Sequence, residues 1–113
     1  MTSSWTGLSA SPGIVKGKAF VLKQNINSSA LKLLGDEYIL VAKVITPDLV
    51  NFVVGASALV TDIGGLTCHA AVIARELGIP CVINARDASA LLHNGDVIEV
   101  DGNNGIIKLI KSN

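Results

Sequence analysis

Short apolar runs alternate with polar or glycine-containing segments along most of the chain. Ile14 to Leu22 alternates weakly between apolar and polar or glycine residues, which predicts a β-strand entered through a turn at Ser11-Pro12-Gly13. Tyr38 to Val44 and Ala58 to Thr61 are apolar runs too short for helices, and both predict buried strands. A further strand is predicted at Cys81 to Asn84.

Capping residues mark helices between these strands. Thr46-Pro47-Asp48 supplies an N-cap, a proline at the first helical position and an acid in the first turn, and it predicts a helix from about Pro47 to Val54. A second helix is predicted from about Cys68 to Leu77, with Thr67 as its N-cap. Gly78, which tolerates the left-handed conformation, is expected to end this helix.

The last part of the chain predicts a short helix followed by a hairpin. The helix is expected at about Ala88 to His93. The hairpin pairs Asp96 to Val100 with Ile106 to Ile110 through Asp101 to Gly105, a turn rich in residues that tolerate positive φ. Asn25 to Gly35 is expected to be a polar connector with a short helix. Because strands outnumber helices and the helices fall between them, the pattern predicts a sheet-based α/β sandwich.

Composition limits the size and the partners of this fold. The 113 residues are one domain's worth, and half of them are apolar, so residues 1–113 are expected to form a single domain with a packed core. Nine Lys and Arg residues balance nine Asp and Glu residues, which excludes the basic surface typical of proteins that bind nucleic acid or anionic membranes. With charged residues at only 16%, part of the surface is expected to be covered by something else, or the domain is a solitary one with an unusually apolar surface.

The sequence also limits the compartment. No stretch approaches the roughly 18 to 20 uninterrupted apolar residues of a membrane helix, so the chain is not expected to span a membrane. Met1 to Trp5 lacks a basic segment followed by an apolar one, so no secretory signal is expected and the cytoplasm is the default location. Cys68 and Cys81 lack CxxC spacing, which fits a reducing compartment.

Glycine, helix-capping chemistry and a titratable side chain coincide in the segment from Asp62 to Pro80. His69 lies in the first turn of the second predicted helix, where unpaired N–H groups and the positive end of the helix dipole favour an anion. Gly64 and Gly65 can take positive φ and let the backbone approach a bulky anion closely. Since an uncharged imidazole is a nucleophile, these features describe a histidine able to accept a phosphoryl group.

Other interpretations of the same residues stay open at this point. His69 can be a structural or merely exposed residue, and Thr67 a simple cap that stabilises the helix by about 1 kcal/mol. A zinc site from Cys68, His69, Cys81 and His93 matches no common spacing. Cys68 paired with a histidine is a candidate catalytic thiol, because helix N-termini activate thiols. His93 is expected to be a solvated residue near a helix end.

The segment from Thr61 to Pro80 resembles the phosphohistidine segment of the mobile, or swivelling, domain of phosphoenolpyruvate-utilising enzymes. Its Thr67-Cys68-His69 triplet looks most like that of the phosphoenolpyruvate synthase group, since pyruvate phosphate dikinases usually have Ser in the middle place, whereas Leu66 departs from the Arg of many synthases. The resemblance spans nearly the whole chain, and its further matches are Ser11-Pro12-Gly13-Ile14 with Gly17 and Ala19, Thr46-Pro47-Asp48, and Gly95-Asp96 with Val100-Asp101-Gly102 and Gly105.

This resemblance implies a three-layer β/β/α sandwich of the swivelling-domain type. It implies that His69 carries a phosphoryl group between two distant sites, with Gly64, Gly65 and Cys68 shaping the approach of the phosphate. The Thr67 hydroxyl would position the ring or the phosphate. Thr67 is also implied as a site of regulatory phosphorylation, where roughly −1.5 to −2 units of added charge would repel an incoming phosphoryl group.

Two further residues are implied in supporting roles. Asp62 precedes the glycine pair, and Arg75 matches the family's Ala-Arg pair. Arg75 is expected to pair with a nearby acid or with a docked partner, or else to lie on a solvated helix face.

The same resemblance implies that this chain is one component of a phosphotransferase and not a complete enzyme. The sequence contains no visible acidic metal cluster or phosphate-binding Lys/Arg motif, so no cofactor is expected on the chain itself. Mg²⁺ and ATP or phosphoenolpyruvate are expected on partner domains, an ATP-grasp nucleotide-binding domain and a phosphoenolpyruvate- or pyruvate-binding barrel, in trans or in a parent chain. The Met1 start favours a free-standing protein. The alternative function is a non-catalytic regulatory or interaction module that has kept the fold.

Overall fold

The computed structural model describes residues 3–22, 37–65 and 68–112. These residues form a mixed α/β structure with eight strands, a 3₁₀ turn and three helices. The strands are β1 (Ser4–Thr6), β2 (Leu8–Ser11), β3 (Ile14–Leu22), β4 (Ile39–Ala42), β5 (Ala58–Thr61), β6 (Cys81–Ile83), β7 (Val97–Asp101) and β8 (Ile106–Lys111). The 3₁₀ turn is Pro47–Leu49, and the helices are α1 (Val50–Val54), α2 (His69–Leu77) and α3 (Ala88–Leu91).

Most of the predicted elements are confirmed. The bounds of β3 and β5 are those that the apolar pattern predicts, and the closing hairpin forms between β7 and β8. The helix predicted from Pro47 begins as a 3₁₀ turn and continues as α1 to Val54. α3 is shorter than predicted, because Leu92 is already extended with φ −91° and ψ 151°. The predicted connector from Asn25 to Gly35 lies outside the described residues.

Two short strands, β1 and β2, were not predicted from the sequence. β1 is Ser-Trp-Thr and β2 is Leu-Ser-Ala-Ser, so neither has the β-branched run that signals a strand. β1 pairs with β8 and β2 pairs with β6, both antiparallel. Tertiary pairing thus makes these residues strands, against their local sequence.

The strands form one sheet in the order β1-β8-β7-β3-β4-β5-β6-β2. Strand β3 is shared, because Ile14–Lys18 pair antiparallel with β7 and Ala19–Leu22 pair parallel with β4. Strands β4, β5 and β6 are mutually parallel. Since the carboxyl ends of parallel strands meet at one edge of a sheet, the connections that leave these strands begin side by side. This carboxyl edge consists of Lys43, Asp62–Gly65 and Asn84–Arg86.

The parallel strands are buried on both faces by two separate apolar clusters. On one side, residues such as Leu40, Leu59 and Ile83 pack with the alanines of α2. On the other side, residues such as Val41 and Val60 pack with β7, β8 and α3. The fold is therefore mixed α/β, with a central parallel region covered by α1 and α2 on one face and by β7, β8 and α3 on the other. The predicted three-layer order is a finer statement and stays a prediction.

Close contacts between backbones join the two ends of the sheet. The Gly7 N–H donates to the Gly105 carbonyl at 2.8 Å, and the Gly102 N–H donates to the Gly13 carbonyl at 2.7 Å. A Cβ on Gly102 would lie 2.1 Å from the Ser11 carbonyl oxygen. Only glycine fits such an approach, so the β7–β8 turn presses directly on the segment that contains β1 and β2.

The Asp101 carboxylate organises this turn. It accepts hydrogen bonds from the N–H groups of Asn103 at 2.9 Å and Asn104 at 3.0 Å, and from the Asn104 side-chain amide at 2.9 Å. The bond from the Asn104 side chain is the main reason that the pKa of Asp101 is lowered from its ordinary value. The predicted turn at Asp101 to Gly105 is confirmed, with Gly105 at φ +71°.

We predict that Gly102→Ala destabilises the fold. The added Cβ clashes with backbone atoms, so we expect the free energy of unfolding to fall by at least about 2 kcal/mol. Gly65→Ala is the matched control, because a Cβ there meets no described atom within 4 Å and φ is not positive. Urea unfolding measures both variants. Equal unfolding midpoints for Gly102→Ala and the native chain would contradict the prediction.

A second prediction concerns pH. Burial, and then the nearby Cys68, raise the pKa of the Cys81 thiol to about 12 from an ordinary value of 9, while Arg75 acts in the opposite direction. A raised folded-state pKa gives a stabilisation that is complete below pH 9 and is lost as the pH rises toward 12.

We therefore expect the free energy of unfolding to fall across this pH window by up to about 1.4 kcal/mol per pH unit from Cys81. The fall should be less steep in Cys81→Ala and should persist in Cys68→Ala. Urea unfolding at a series of pH values between 8 and 11 checks this, and parallel curves for the native chain and Cys81→Ala would refute it.

Candidate functional site

Helix α2 begins at the carboxyl edge with an exposed histidine. His69 is the first helical residue, and Cys68 before it is the N-cap, with φ −69° and ψ 164°. The predicted position of His69 in the first turn is confirmed. The prediction of Thr67 as N-cap is wrong, because the chain enters the helix one residue later. Thr67 and Leu66 lie outside the described residues.

Hydrogen bonds hold the first residues of the loop that leads from β5 toward His69. The Thr61 hydroxyl donates to the Ile63 carbonyl at 2.8 Å. The Asp62 N–H donates at 3.1 Å to the carbonyl of Ala42, the last residue of β4, and the Ile63 N–H donates at 3.1 Å to the carbonyl of Lys43, the next residue. The loop therefore follows the neighbouring strand exit before it turns toward α2.

Asp62 fastens this loop to α3. One carboxylate oxygen accepts the Ser89 N–H at 2.8 Å, and the other accepts the Ser89 hydroxyl at 2.5 Å. Its carboxylate therefore fixes the start of the loop that carries the glycine pair, and the supporting role of Asp62 at the site stays a prediction.

The two glycines of this loop have different structural requirements. Gly64 adopts φ +140°, and a Cβ there would lie 3.1 Å from the Cys68 sulfur. Gly65 does not adopt positive φ, and no described atom lies within 4 Å of where its Cβ would be. Of the two glycines, both of which can take positive φ, Gly64 does so and Gly65 does not. Gly65 is therefore a place where the structure leaves room in front of the helix.

The first turn of α2 has N–H groups that precede the first hydrogen bond of the helix among the described residues. The Val72 N–H makes the first bond of the helix, to the Cys68 carbonyl at 3.1 Å, so the N–H groups of His69, Ala70 and Ala71 come before it. The Cys68 side chain makes no capping hydrogen bond. Such N–H groups, together with the helix dipole, stabilise an anion placed at the helix start.

The rest of α2 is fixed against the sheet. Ala70, Ala71 and Ala74 are buried and let the helix pack closely on β2, β5 and β6. Gly78 ends the helix at φ +72°, as predicted. The Arg75 Nε donates to the Ala10 carbonyl at 2.8 Å. The described hydrogen-bond partner of Arg75 is therefore a backbone carbonyl of β2 and not the acid that was expected.

Apolar side chains lie exposed on the elements next to His69. Ile63 in the preceding loop is 49% exposed, and Val72, three residues along the helix from His69, is 42% exposed. Val44, which follows β4 beside the Ile63 contact, is 41% exposed. Exposed aliphatic groups beside a reactive side chain are typical of a surface that another protein covers.

The alternative sites receive no support from the described residues. In the described ranges, no three side chains of His, Cys, Asp or Glu lie close enough together to hold a metal ion. The zinc interpretation of Cys68, His69, Cys81 and His93 is therefore wrong. The hydrogen bonds of this part of the chain do not pair Cys68 with a histidine. His93 is exposed, and its N–H donates to Asp96 at 2.9 Å, as expected for a residue after a helix end.

Two cationic residues of the carboxyl edge were missed in the sequence. Lys43 follows β4 and Arg86 follows β6, and both are exposed. Their positions relative to His69 depend on the parallel pairing of β4, β5 and β6, which local patterns do not reveal. Among the helices that the structure describes, none is long and apolar enough to cross a membrane.

Known proteins resemble this chain in sequence. It is 42% identical over 101 residues to a probable phosphoenolpyruvate synthase of Methanothermobacter thermautotrophicus, and 46% identical over 101 residues to one of Archaeoglobus fulgidus. It is 40% identical over 104 residues to an uncharacterized phosphotransferase of Bacillus subtilis. These alignments cover 89%, 89% and 92% of this chain but only 14%, 13% and 12% of the respective relatives.

Solved structures resemble its fold. An NMR structure of Enzyme I matches with a TM-score of 0.58 and 34% identity, over 66% of this chain and 31% of that chain. A Thermococcus kodakaraensis aconitase X chain matches with a TM-score of 0.67 and 15% identity, over 96% of this chain and 99% of that chain, which shows the fold alone.

The family model of the mobile domain of PEP-utilising enzymes matches residues 34–105. Because this match covers more than half of the 113 residues, the chain belongs to the family of mobile domains of phosphoenolpyruvate-utilising enzymes.

Proposed function

We propose that the chain is a phosphoryl carrier. His69 accepts a phosphoryl group at a nucleotide site on another domain or chain and delivers it to a phosphoenolpyruvate- or pyruvate-type site. The observation that carries the proposal is the exposed imidazole at the first position of α2, in a member of the phosphoenolpyruvate-utilising mobile-domain family. The names of the relatives, phosphoenolpyruvate synthase and phosphotransferase, support this class of reaction.

The transfer step is a displacement at phosphorus. A ring nitrogen of uncharged His69 uses its lone pair to form a P–N bond, while the P–O bond to the leaving group breaks and its electron pair departs with that oxygen. The phosphorylated ring then carries the negative charge to the second site, where the reverse displacement transfers the group. The first-turn N–H groups of α2 stabilise that charge during transport.

The open space at Gly65 gives the incoming phosphate access to the helix start. Gly64 and Cys68, which pack against each other, form the inner wall of this approach. For Thr67, outside the described residues, we keep the proposal of positioning and of regulatory phosphorylation.

The charge neutralisation that phosphoryl transfer needs is assigned to partner domains. Mg²⁺ with ATP or phosphoenolpyruvate would supply it from an ATP-grasp domain and a barrel, and the described residues offer no cluster of metal ligands of their own. The exposed Ile63 and Val72 would meet those partners. We further propose the three-layer order, which the two apolar clusters support, and a cytoplasmic location, which the two free thiols support.

The two histidines of the chain allow a direct test. With labelled phosphoramidate as a small phosphoryl donor, we expect the native chain to form an acid-labile, base-stable adduct. His93→Ala, the matched control, should label like the native chain, and His69→Ala should not label. Undiminished labelling of His69→Ala, or an unlabelled native chain, would refute the carrier. The interaction-module alternative predicts the second of these results.

The space in front of α2 gives another prediction. Gly65→Leu should fill this space and slow labelling at least tenfold, which is about 1.4 kcal/mol in activation free energy. Its free energy of unfolding should change by no more than about 0.5 kcal/mol, because no described atom is displaced. Gly65→Ala is the control and should label nearly as fast as the native chain. Labelling rates are compared by ³¹P NMR, and a native rate for Gly65→Leu would contradict the proposed approach.

A further inference from the structure

A groove of about 430 Å³ opens beside the carboxyl edge, between the β1–β2 connection and the exit of β6. It is separate from the glycine loop that leads to His69. Its walls combine an aromatic ring, an aliphatic side chain, an amide and a guanidinium, and its lining residues are Trp5, Thr6, Gly7, Leu8, Asn84 and Arg86.

The groove lies on the same edge as the proposed acceptor. β6 is the parallel neighbour of β5, and the Ala85 N–H donates to the Thr61 carbonyl at 2.9 Å. The exit of β6 is thus bonded directly to the end of the strand from which the His69 loop departs. The groove and the loop that leads to His69 thus begin at neighbouring strand ends.

The groove carries residues that are common at the centres of protein interfaces. Trp5 is half-buried and is the only tryptophan of the chain, Leu8 is 42% exposed, and Arg86 is exposed. No hydrogen bond or ion pair to another described residue engages the Arg86 guanidinium. Tryptophan and arginine are the residue types most enriched at interface hot spots, and a free guanidinium fork matches a carboxylate in a bidentate pair.

The backbone around Arg86 is held in an unusual conformation. Asn84 and Asp87 have φ of 55° and 62°, and they are the non-glycine residues with positive φ in the described part of the chain. Such conformations cost roughly 1 kcal/mol or more each and persist where the surroundings enforce them. Gly7 is pinned nearby, since a Cβ there would lie 2.4 Å from the Ile83 carbonyl oxygen. Both walls of the groove are therefore fixed in advance of any contact.

We propose that this groove docks a partner domain that presents a carboxylate beside an apolar or aromatic side chain. The carboxylate pairs with Arg86, and the apolar group packs on Trp5 and Leu8. The proposal rests on the carrier function and adds to it a contact that holds the partner while His69 reacts. A protein carboxylate fits better than a nucleotide, because one cation followed directly by Asp87 does not balance a polyphosphate.

The single tryptophan makes occupancy of the groove measurable. The full chain, labelled with 5-fluorotryptophan, has one ¹⁹F resonance, from Trp5. The probe is the full-length Archaeoglobus fulgidus relative. We expect the resonance to shift on adding this probe, with Kd at least tenfold weaker for Arg86→Glu. Arg86→Lys should bind with an intermediate Kd, and Lys111→Glu, which makes the same charge change at the end of β8, should stay within twofold of the native chain.

Three results would overturn the docking proposal. The first is equal binding by Arg86→Glu and Lys111→Glu. The second is an unshifted resonance with the probe. The third is a shift of similar size with ATP or phosphoenolpyruvate alone, which would make the groove a small-ligand site. Labelling by phosphoramidate keeps the two proposals apart, because Arg86→Glu should label at the native rate. A native chain that phosphoramidate does not label refutes the carrier, whereas a labelled chain with an unresponsive Trp5 refutes only the groove.

Discussion

The parallel pairing of β4, β5 and β6 is the constraint on which the rest of the structure depends. It buries both faces of three short apolar strands and brings their carboxyl ends to one edge. Three segments leave the sheet at that edge: the exposed Lys43 after β4, the glycine loop that leads from β5 toward His69, and the turn after β6 that contains Arg86. Strands of only three or four residues make this edge, so small shifts in register would separate its groups.

Strand pairing and close backbone contacts tie the two ends of the sheet to each other. β2 pairs with β6 and β1 with β8, although only Gly7 separates β1 from β2 along the chain. The contact of Gly102 with Ser11 and of Gly105 with Gly7 closes this arrangement through backbone atoms alone. Arg75, bonded to the Ala10 carbonyl, ties the last turn of α2 to the same segment. The proposed phosphoryl transfer at His69 requires the imidazole in a fixed orientation, which these contacts favour.

The candidate site combines a loop start that is fixed by hydrogen bonds with an exposed histidine. Asp62 is bonded to α3 and Gly64 lies against Cys68, whereas His69 is exposed and no described atom lies within 4 Å of a Cβ at Gly65. The exposed aliphatic side chains around them, on a chain that spans only 12–14% of the length of its relatives, fit a domain that works against other protein surfaces. The low content of charged residues, 16%, is compatible with the contacts to other domains proposed above.

The sequence by itself determined the local elements and the identity of the acceptor candidate. The apolar runs of β3 and β5, the left-handed Gly78 and the position of His69 in a first helical turn are consequences of neighbouring residues, since propensity, capping and positive φ act over a few positions. The local pattern predicted Thr67 as the N-cap of α2, because threonine is a better capping residue than cysteine. The structure has Cys68 as the N-cap, so capping preference alone did not fix the first helical residue.

Only the tertiary structure decided what comes together. It made strands of β1 and β2, gave a positive φ to Gly64 and not to Gly65, and gave Arg75 a backbone carbonyl as its partner. It also placed Arg86 and Trp5, 81 positions apart, in one groove next to the strand that leads to His69. The physical reason is that pairing between strands distant in sequence is set by global burial and register, which no short stretch of sequence encodes.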